Sequence, residues 1–298
     1  MRGGCFTVTV PADNQSPTPI AVSMVLGAII SIQVGSAVAT DLFADVGAAG
    51  VVFMRATVSA ILLWIIWRPG LRVAKENRRI VLLFGVVLAG MNLCFYEAID
   101  RIPLGTAVTV EFIGPLGVAL ITSRRRRDWI WAVLAGAGIV LLTGGVGGDD
   151  LDVAGLLLAF VAGLFWGSYI LLGKRIGEQA SGGKALVVPM MISAILVAPL
   201  GIAEGGMDLL EPRVLAIALF VGVVSSAIPF SLELEAMRRL PSSVFGVMMS
   251  LEPAAAATVG FILLGQGMDP AEVVAIMLVV AASAGALRSA STPISNEP

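Results

Sequence analysis

The chain has 298 residues, 57% of them hydrophobic and 13% charged, about half the ~25% charged fraction of a soluble globular domain. It has no histidine and a net charge of −2, which excludes Ser-His-Asp triads, histidine acid–base chemistry and histidine metal sites. Cys5 and Cys94 have neither a disulfide framework nor metal-ligand spacing, so no metal and no cofactor is expected.

Residues 1–19 hold a single arginine, several polar residues and three prolines without a long apolar core. They read as a disordered cytoplasmic tail, not a signal peptide. A bilayer-spanning helix needs roughly 20 mostly apolar residues. Ten such stretches follow, near 20–40, 47–67, 80–99, 103–123, 128–145, 151–173, 184–203, 213–236, 241–264 and 269–287, the fifth and tenth being the weakest. Runs such as Val153–Gly163 lack the alternation of a barrel strand, which leaves helices as the structure that satisfies the backbone in lipid.

Charge divides these stretches. With the N-terminus in the cytoplasm, sixteen of the 19 basic residues lie inside, in clusters such as Arg68, Arg72, Lys75, Arg78 and Arg79, and Arg124 to Arg127. Arg101 and Arg213 lie outside, and Arg55 lies within the second stretch. This positive-inside bias predicts an even number of spans and two cytoplasmic termini. Trp67, Trp129 and Trp131 fall near the cytoplasmic ends, as interfacial anchors do.

The sequence also repeats. Residues 97–103 read Glu-Ala-Ile-Asp-Arg-Ile-Pro and 235–241 read Glu-Ala-Met-Arg-Arg-Leu-Pro, each followed twelve residues later by a proline, Pro115 and Pro253. Gly35-Ser36 matches Gly167-Ser168, and residues 59–62 match 193–196. In-order matches of this kind point to duplication. With five stretches per copy, the second copy enters the membrane upside down, a recurring transporter plan. The expected fold is an all-α integral membrane protein of ten transmembrane helices in two inverted five-helix repeats. Its parts are a tail (1–19), a first repeat (20–145), an external linker (146–150), a second repeat (151–288) and a cytoplasmic tail (289–298).

Several residues join in a family resemblance. They are Met91-Asn92 with Phe95-Tyr96, Pro103-Leu104-Gly105, Glu111-Phe112, Gly114-Pro115-Leu116 and Ser123-Arg124-Arg125. In the second half they are Pro229, Ser231-Leu232-Glu233, Leu240-Pro241, Phe245-Gly246 and Leu251-Glu252-Pro253-Ala254. On these motifs the chain resembles the drug/metabolite transporter superfamily in its ten-helix EamA-type branch, and within it the bacterial threonine/homoserine exporters. The similarity runs over nearly all of residues 20–288. The resemblance implies a bacterial inner-membrane carrier that exports a small amino acid or related metabolite against inward proton flow. One position departs from the family pattern: an acidic residue usually follows the Leu-Gly that closes the ninth span, and here it is Gln266. A role assigned to that carboxylate does not transfer to this chain.

A charge at the bilayer centre costs about 2.5–3.5 kcal/mol on insertion scales, so such residues face a cavity or a partner. Glu111 and Glu252 lie near mid-depth and are candidates for binding substrate or a coupling proton; the alternative is a structural hydrogen bond between helices. Arg55 suits a carboxylate, with a structural ion pair or snorkelling as the alternatives. Glu233 follows Pro229, whose missing N–H frees a carbonyl toward a cavity. Gln33, Asn92, Trp166 and Tyr169 either line a polar cavity or pack between helices. Glu97 and Glu235 sit near helix ends and read as solvated or loop-paired. The stripe of Ala159, Gly163 and Gly167 permits close helix approach, and Pro115, Pro229 and Pro253 mark kinks that serve either gating or a static bend.

The expected partners are a small-molecule substrate, a proton and the lipid bilayer, with no nucleic acid; a homodimer is compatible with the sequence without being signalled by it. No phosphate-binding loop is present for ATP, and no catalytic constellation for an intramembrane enzyme. A carrier of another metabolite or a toxic compound, and a passive channel, are the competing readings.

Overall fold

Long apolar runs without charges can close their backbone hydrogen bonds only along the chain, and they fold here as helices. The computed structural model describes residues 19–67, 77–122, 129–145, 152–177, 184–240 and 242–291, and every regular element among them is helical. The first helices are α1 (Pro19–Ala39), α2 (Phe43–Trp67), α3 (Arg78–Ile99), α4 (Leu104–Glu111), α5 (Ile113–Thr122) and α6 (Trp129–Gly145). They are followed by α7 (Val153–Gly177), α8 (Lys184–Gly205), α9 (Pro212–Gly222), α10 (Ile228–Arg239), α11 (Ser242–Met249), α12 (Glu252–Leu264) and α13 (Pro270–Ser291). A π-helical segment, Val223–Ala227, joins α9 to α10. Five helical stretches are long and apolar enough to cross a bilayer: Pro19–Trp67, Arg78–Ile99, Val153–Gly173, Leu186–Gly205 and Val247–Leu264. Shorter apolar helices cover Leu104–Val118, Trp129–Leu141, Pro212–Ala227 and Pro270–Ala286. Outward faces are apolar too, with Ile65, Leu82, Leu164 and Ile262 all exposed, as in a protein solvated by lipid.

The linker expected at 146–150 lies outside the described residues, as does all of the tail expected at 1–19 except Pro19, which opens α1. Of the C-terminal tail expected at 289–298, residues 289–291 belong to α13, and the rest lie outside the described residues.

Proline placement explains the breaks. Pro115 has no N–H for the carbonyl of Glu111, and α4 ends there, with Phe112 separating it from α5. Pro253 acts in the same way one turn upstream, and Ser250 and Leu251 separate α11 from α12. The sequence placed these kinks at the prolines, but the backbone breaks in the turn before each, where the acceptor has lost its donor. A kink near the start of α2 needs Gly47, whose φ of 71° is costly for a residue with a Cβ. A Cβ there would also fall 2.3 Å from Glu204 Oε2, which accepts the Ala49 N–H at 2.9 Å and caps the helix that follows.

The helices pair across the two halves of the chain. α2 packs on α8, α3 on α7 and α8, α1 on α10, α4 on α12 and α6 on α13. One end of the bundle holds a continuous core that includes Leu42, Ile102 and Leu209 from the connections at that end and Leu104 from the start of α4. The other end is divided into three separate clusters. One joins α2, α3, α7 and α8 around Leu63 and Phe84; another joins α1 to α10 around Val25 and Ala236; the last joins α5, α6 and α13 around Leu116 and Ala282.

Candidate functional site

Between the continuous core and the divided end lies a cavity of about 130 Å³. All eight polar or aromatic candidates named from the sequence line it: Gln33, Arg55, Asn92, Glu111, Trp166, Tyr169, Glu233 and Glu252. The three prolines do not line it; they shape the helices that carry Glu111, Glu233 and Glu252. A second cavity of about 400 Å³, between α2 and α8, is lined by apolar and small residues such as Phe53, Trp64 and Met191 and has no charged group.

Arg55 organises one wall. Its Nε donates to Ser225 Oγ at 2.9 Å, its Nη2 to the Ser225 carbonyl at 3.2 Å, and its Nη1 to Asn92 Oδ1. The guanidinium carbon lies 5.5 Å from the centre of the Tyr96 ring, in cation–π range. Asn92 Nδ2 donates to the Leu88 carbonyl at 2.7 Å, which fixes the amide with its oxygen toward the arginine. Among the described residues, therefore, the hydrogen-bond partners of Arg55 are neutral. The guanidinium is held inside the bundle by these groups, which fix its orientation.

The carboxylates enter from the broken helices. Glu111 is the last residue of α4 and is buried; Glu252 is the first residue of α12 and is buried; Glu233 projects from α10 and is half-buried. Trp166 meets the Phe112 ring edge-to-face at 5.2 Å, and Tyr169 stacks on Phe84 at 5.1 Å. The small-residue stripe on α7 makes the approach to Glu111 close. A Cβ on Gly163 would lie 2.5 Å from the Glu111 carbonyl oxygen, and one on Gly114 would lie 1.8 Å from the Gly163 carbonyl oxygen. Glu97 and Glu235 stand apart from the cavity in surface pairs, with Arg101 at 3.9 Å and Arg239 at 2.5 Å respectively.

Sequence reasoning missed Ser225, Ser36 and the site role of Tyr96, all of which line the cavity. A serine in an apolar helix is too common to single out. Its position four residues before Pro229, where a carbonyl loses its donor, was the available signal. Gln266 has a role at a distance: its Oε1 accepts the Leu104 N–H at 3.1 Å, at the start of α4.

Residues 153–288 match the model of the EamA-like transporter family. The chain is 41% identical over 274 residues to the "Threonine/homoserine exporter RhtA" of Escherichia coli K12, covering 91% of this chain and 92% of that protein. It is 42% identical over 271 residues to the protein of the same name from Salmonella typhimurium LT2, covering 90% and 92%. It is 29% identical over 229 residues to the "Uncharacterized transporter YwfM" of Bacillus subtilis, covering 74% and 77%. A protein crystal structure superposes with a TM-score of 0.60 at 21% identity, over 89% of this chain and 97% of that one, a likeness of fold.

Proposed function

Because this chain belongs to the EamA-like transporter family, we propose that it is a secondary-active carrier of the bacterial inner membrane that exports small amino acids of the threonine and homoserine kind by proton antiport. The observation that carries this reading is the cavity, where one arginine with neutral partners faces three glutamates drawn from both halves of the chain. An amino-acid zwitterion brings a carboxylate for Arg55 and an ammonium for the glutamates.

Size supports the substrate class. An apolar cavity of ~150 Å³ accepts benzene, whereas pockets for drug-sized ligands run to roughly 300–1,000 Å³. A cavity of about 130 Å³ therefore suits a solute of small amino-acid size. This disfavours the reading as a carrier of bulky toxic compounds and leaves other small metabolites as the second reading.

Ten spans in two inverted repeats, 20–145 and 151–288, accord with the helix contacts. Exchanging each span for its counterpart in the other half turns the α3–α7 contact into the α10–α1 contact, and maps the α2–α8 and α6–α13 contacts onto themselves. With both termini cytoplasmic, the continuous core closes the external side, and the gaps between the three inner clusters open toward the cytoplasm. Glu111 and Glu252, at helix breaks on either side of the cavity, are the groups that exchange a proton for substrate; Pro115, Pro229 and Pro253 supply the bends about which the helices move.

Purified protein in proteoliposomes tests this reading. Threonine or homoserine counterflow is expected, accelerated by a pH gradient, and Glu111→Gln or Glu252→Gln is expected to abolish the gradient dependence. Transport of another solute with no amino-acid flux would sink the substrate assignment. Unchanged pH dependence in both variants would remove these glutamates from the coupling role.

A further inference from the structure

On one wall of the cavity the polar atoms have partners. Asn92 is bonded through both ends of its amide, Ser225 Oγ donates to the Val221 carbonyl at 2.6 Å, and Arg55 is held through three nitrogens. Among the described residues, two fully buried atoms of the lining have no hydrogen-bond partner: Gln33 Oε1 and the Tyr96 hydroxyl. The two residues are 2% and 1% exposed. Burying an unpaired polar group is costly, and a native structure keeps one where something else completes it.

Among the described residues, the three other unpaired polar atoms of this kind are serine hydroxyls, of Ser193, Ser226 and Ser283, none of which lines the cavity. A serine hydroxyl in a helix can rotate to the carbonyl one turn back. A tyrosine hydroxyl stands too far from its own backbone for that. The Tyr96 ring is also fixed, with Phe43 and Phe95 edge-on at 6.1 and 5.7 Å and the Arg55 guanidinium over its face. Gln33 is set on α1 one turn from Ser36, which lines the same cavity.

The chemistry of the orphaned pair narrows what completes it. A phenol offers one O–H donor; an amide oxygen only accepts. A neutral group that accepts from one and donates to the other matches both, and an alcohol does this with a single atom. The charged ends of a zwitterion already have Arg55 and the glutamates. We propose that Gln33 Oε1 and the Tyr96 hydroxyl form a subsite for the side-chain hydroxyl of the transported amino acid. The carrier then selects hydroxylated amino acids over their apolar isosteres. This rests on the reading of the cavity as an amino-acid site and adds to it the feature by which that site chooses.

A site built to hydrogen-bond a hydroxyl can reject the analogue lacking it by up to ~10⁴–10⁵, whereas a merely apolar pocket tells hydroxyl from methyl by only ~10² in the opposite sense. The test is counterflow in proteoliposomes with two isosteric pairs, threonine against valine and homoserine against norvaline. Wild type is expected to prefer the hydroxylated member by at least about 100-fold in kcat/KM. Tyr96→Phe and Gln33→Met are each expected to bring that ratio within about tenfold, through a higher KM for the hydroxylated member. Ser193→Ala, which removes an unpaired hydroxyl outside the cavity, is expected to keep the ratio. Equal handling of both members by wild type would overturn the subsite and leave the amino-acid carrier standing. A strong preference that survives both variants would place hydroxyl recognition elsewhere and overturn the assignment. Flux of a different solute with no amino-acid flux would overturn the reading beneath it as well. If one variant fails to fold, the other variant and the wild-type ratios still decide.

Discussion

The Arg55 guanidinium donates to the backbone carbonyl of Ser225 at 3.2 Å, joining residues 170 positions apart. That carbonyl is free because the residue four places on is Pro229, which has no N–H. The adjacent carbonyl, of Val224, would meet Pro229 in the π register and instead accepts from Ser31 Oγ at 2.5 Å. One proline thus leaves two carbonyls to other helices, and one of them helps set the arginine of the cavity.

Pro229→Ala restores a donor in the turn that now serves Arg55. The new N–H competes for the Ser225 or Val224 carbonyl, and either outcome loosens the wall. A typical hydrogen bond contributes about 0.5–1.5 kcal/mol, so substrate KM is expected to rise roughly three- to tenfold. Counterflow kinetics on protein with an unchanged elution profile would check this; an unchanged KM would mean the freed carbonyl is not needed.

Arg55→Lys keeps the charge and loses the fork. Three nitrogens of Arg55 now reach Ser225 and Asn92 together, a geometry that the single nitrogen of lysine cannot reproduce. The lysine is expected to leave Asn92 or Ser225 unpaired and to lower kcat/KM by at least about tenfold, the cost of a lost charged hydrogen bond. Transport by the lysine variant with native substrate preference would show that a point charge suffices.

The helices were legible in the sequence because composition alone forces them: a run such as Val153–Gly163 has no polar face with which to do anything else. The polar candidates were legible for the same reason, since each intramembrane charge is costly, and Arg55, Glu111, Glu233 and Glu252 share one cavity. The pairings were not legible. Nothing local to Arg55 shows that Asn92 and Ser225 hold it, because the contact depends on how three helices cross. Nor could the sequence show that the Tyr96 hydroxyl is left unpaired, which is a property of its surroundings and not of its neighbours in the chain.

Gly114→Ala and Gly117→Ala separate close packing from helix propensity. They lie one turn apart on α5, and both replace glycine with a better helix former. A Cβ on Gly114 would sit 1.8 Å from the Gly163 carbonyl oxygen, whereas a Cβ on Gly117 meets nothing within 4 Å. Gly114→Ala must push α5 off α7 and is expected to destabilise by about 1–3 kcal/mol or more, displacing Glu111 and lowering transport. Gly117→Ala is expected to be neutral or slightly stabilising. Thermal melts in detergent of the two variants give the comparison, and equal behaviour would show that α5 and α7 are not in close contact.

Gln266 occupies the position where the resemblance leads one to expect a carboxylate, and its Oε1 accepts the Leu104 N–H at the start of α4. Pro103 precedes that helix and offers no side-chain acceptor, so Gln266 supplies the cap from just past the end of the neighbouring α12. Gln266→Leu removes it and is expected to cost about 0.5–2 kcal/mol, the usual range for a lost N-cap. Gln266→Glu keeps an acceptor and gains about 0.3–1 kcal/mol from the positive helix end. The same small cavity, however, contains buried Glu272, whose Oε2 accepts the Asp269 N–H at 3.0 Å. Two carboxylates there repel by an amount comparable with the dipole gain. The glutamate variant is therefore expected to melt close to the parent and the leucine variant clearly below it. Equal losses in both would show that the bond to Leu104 contributes nothing to stability.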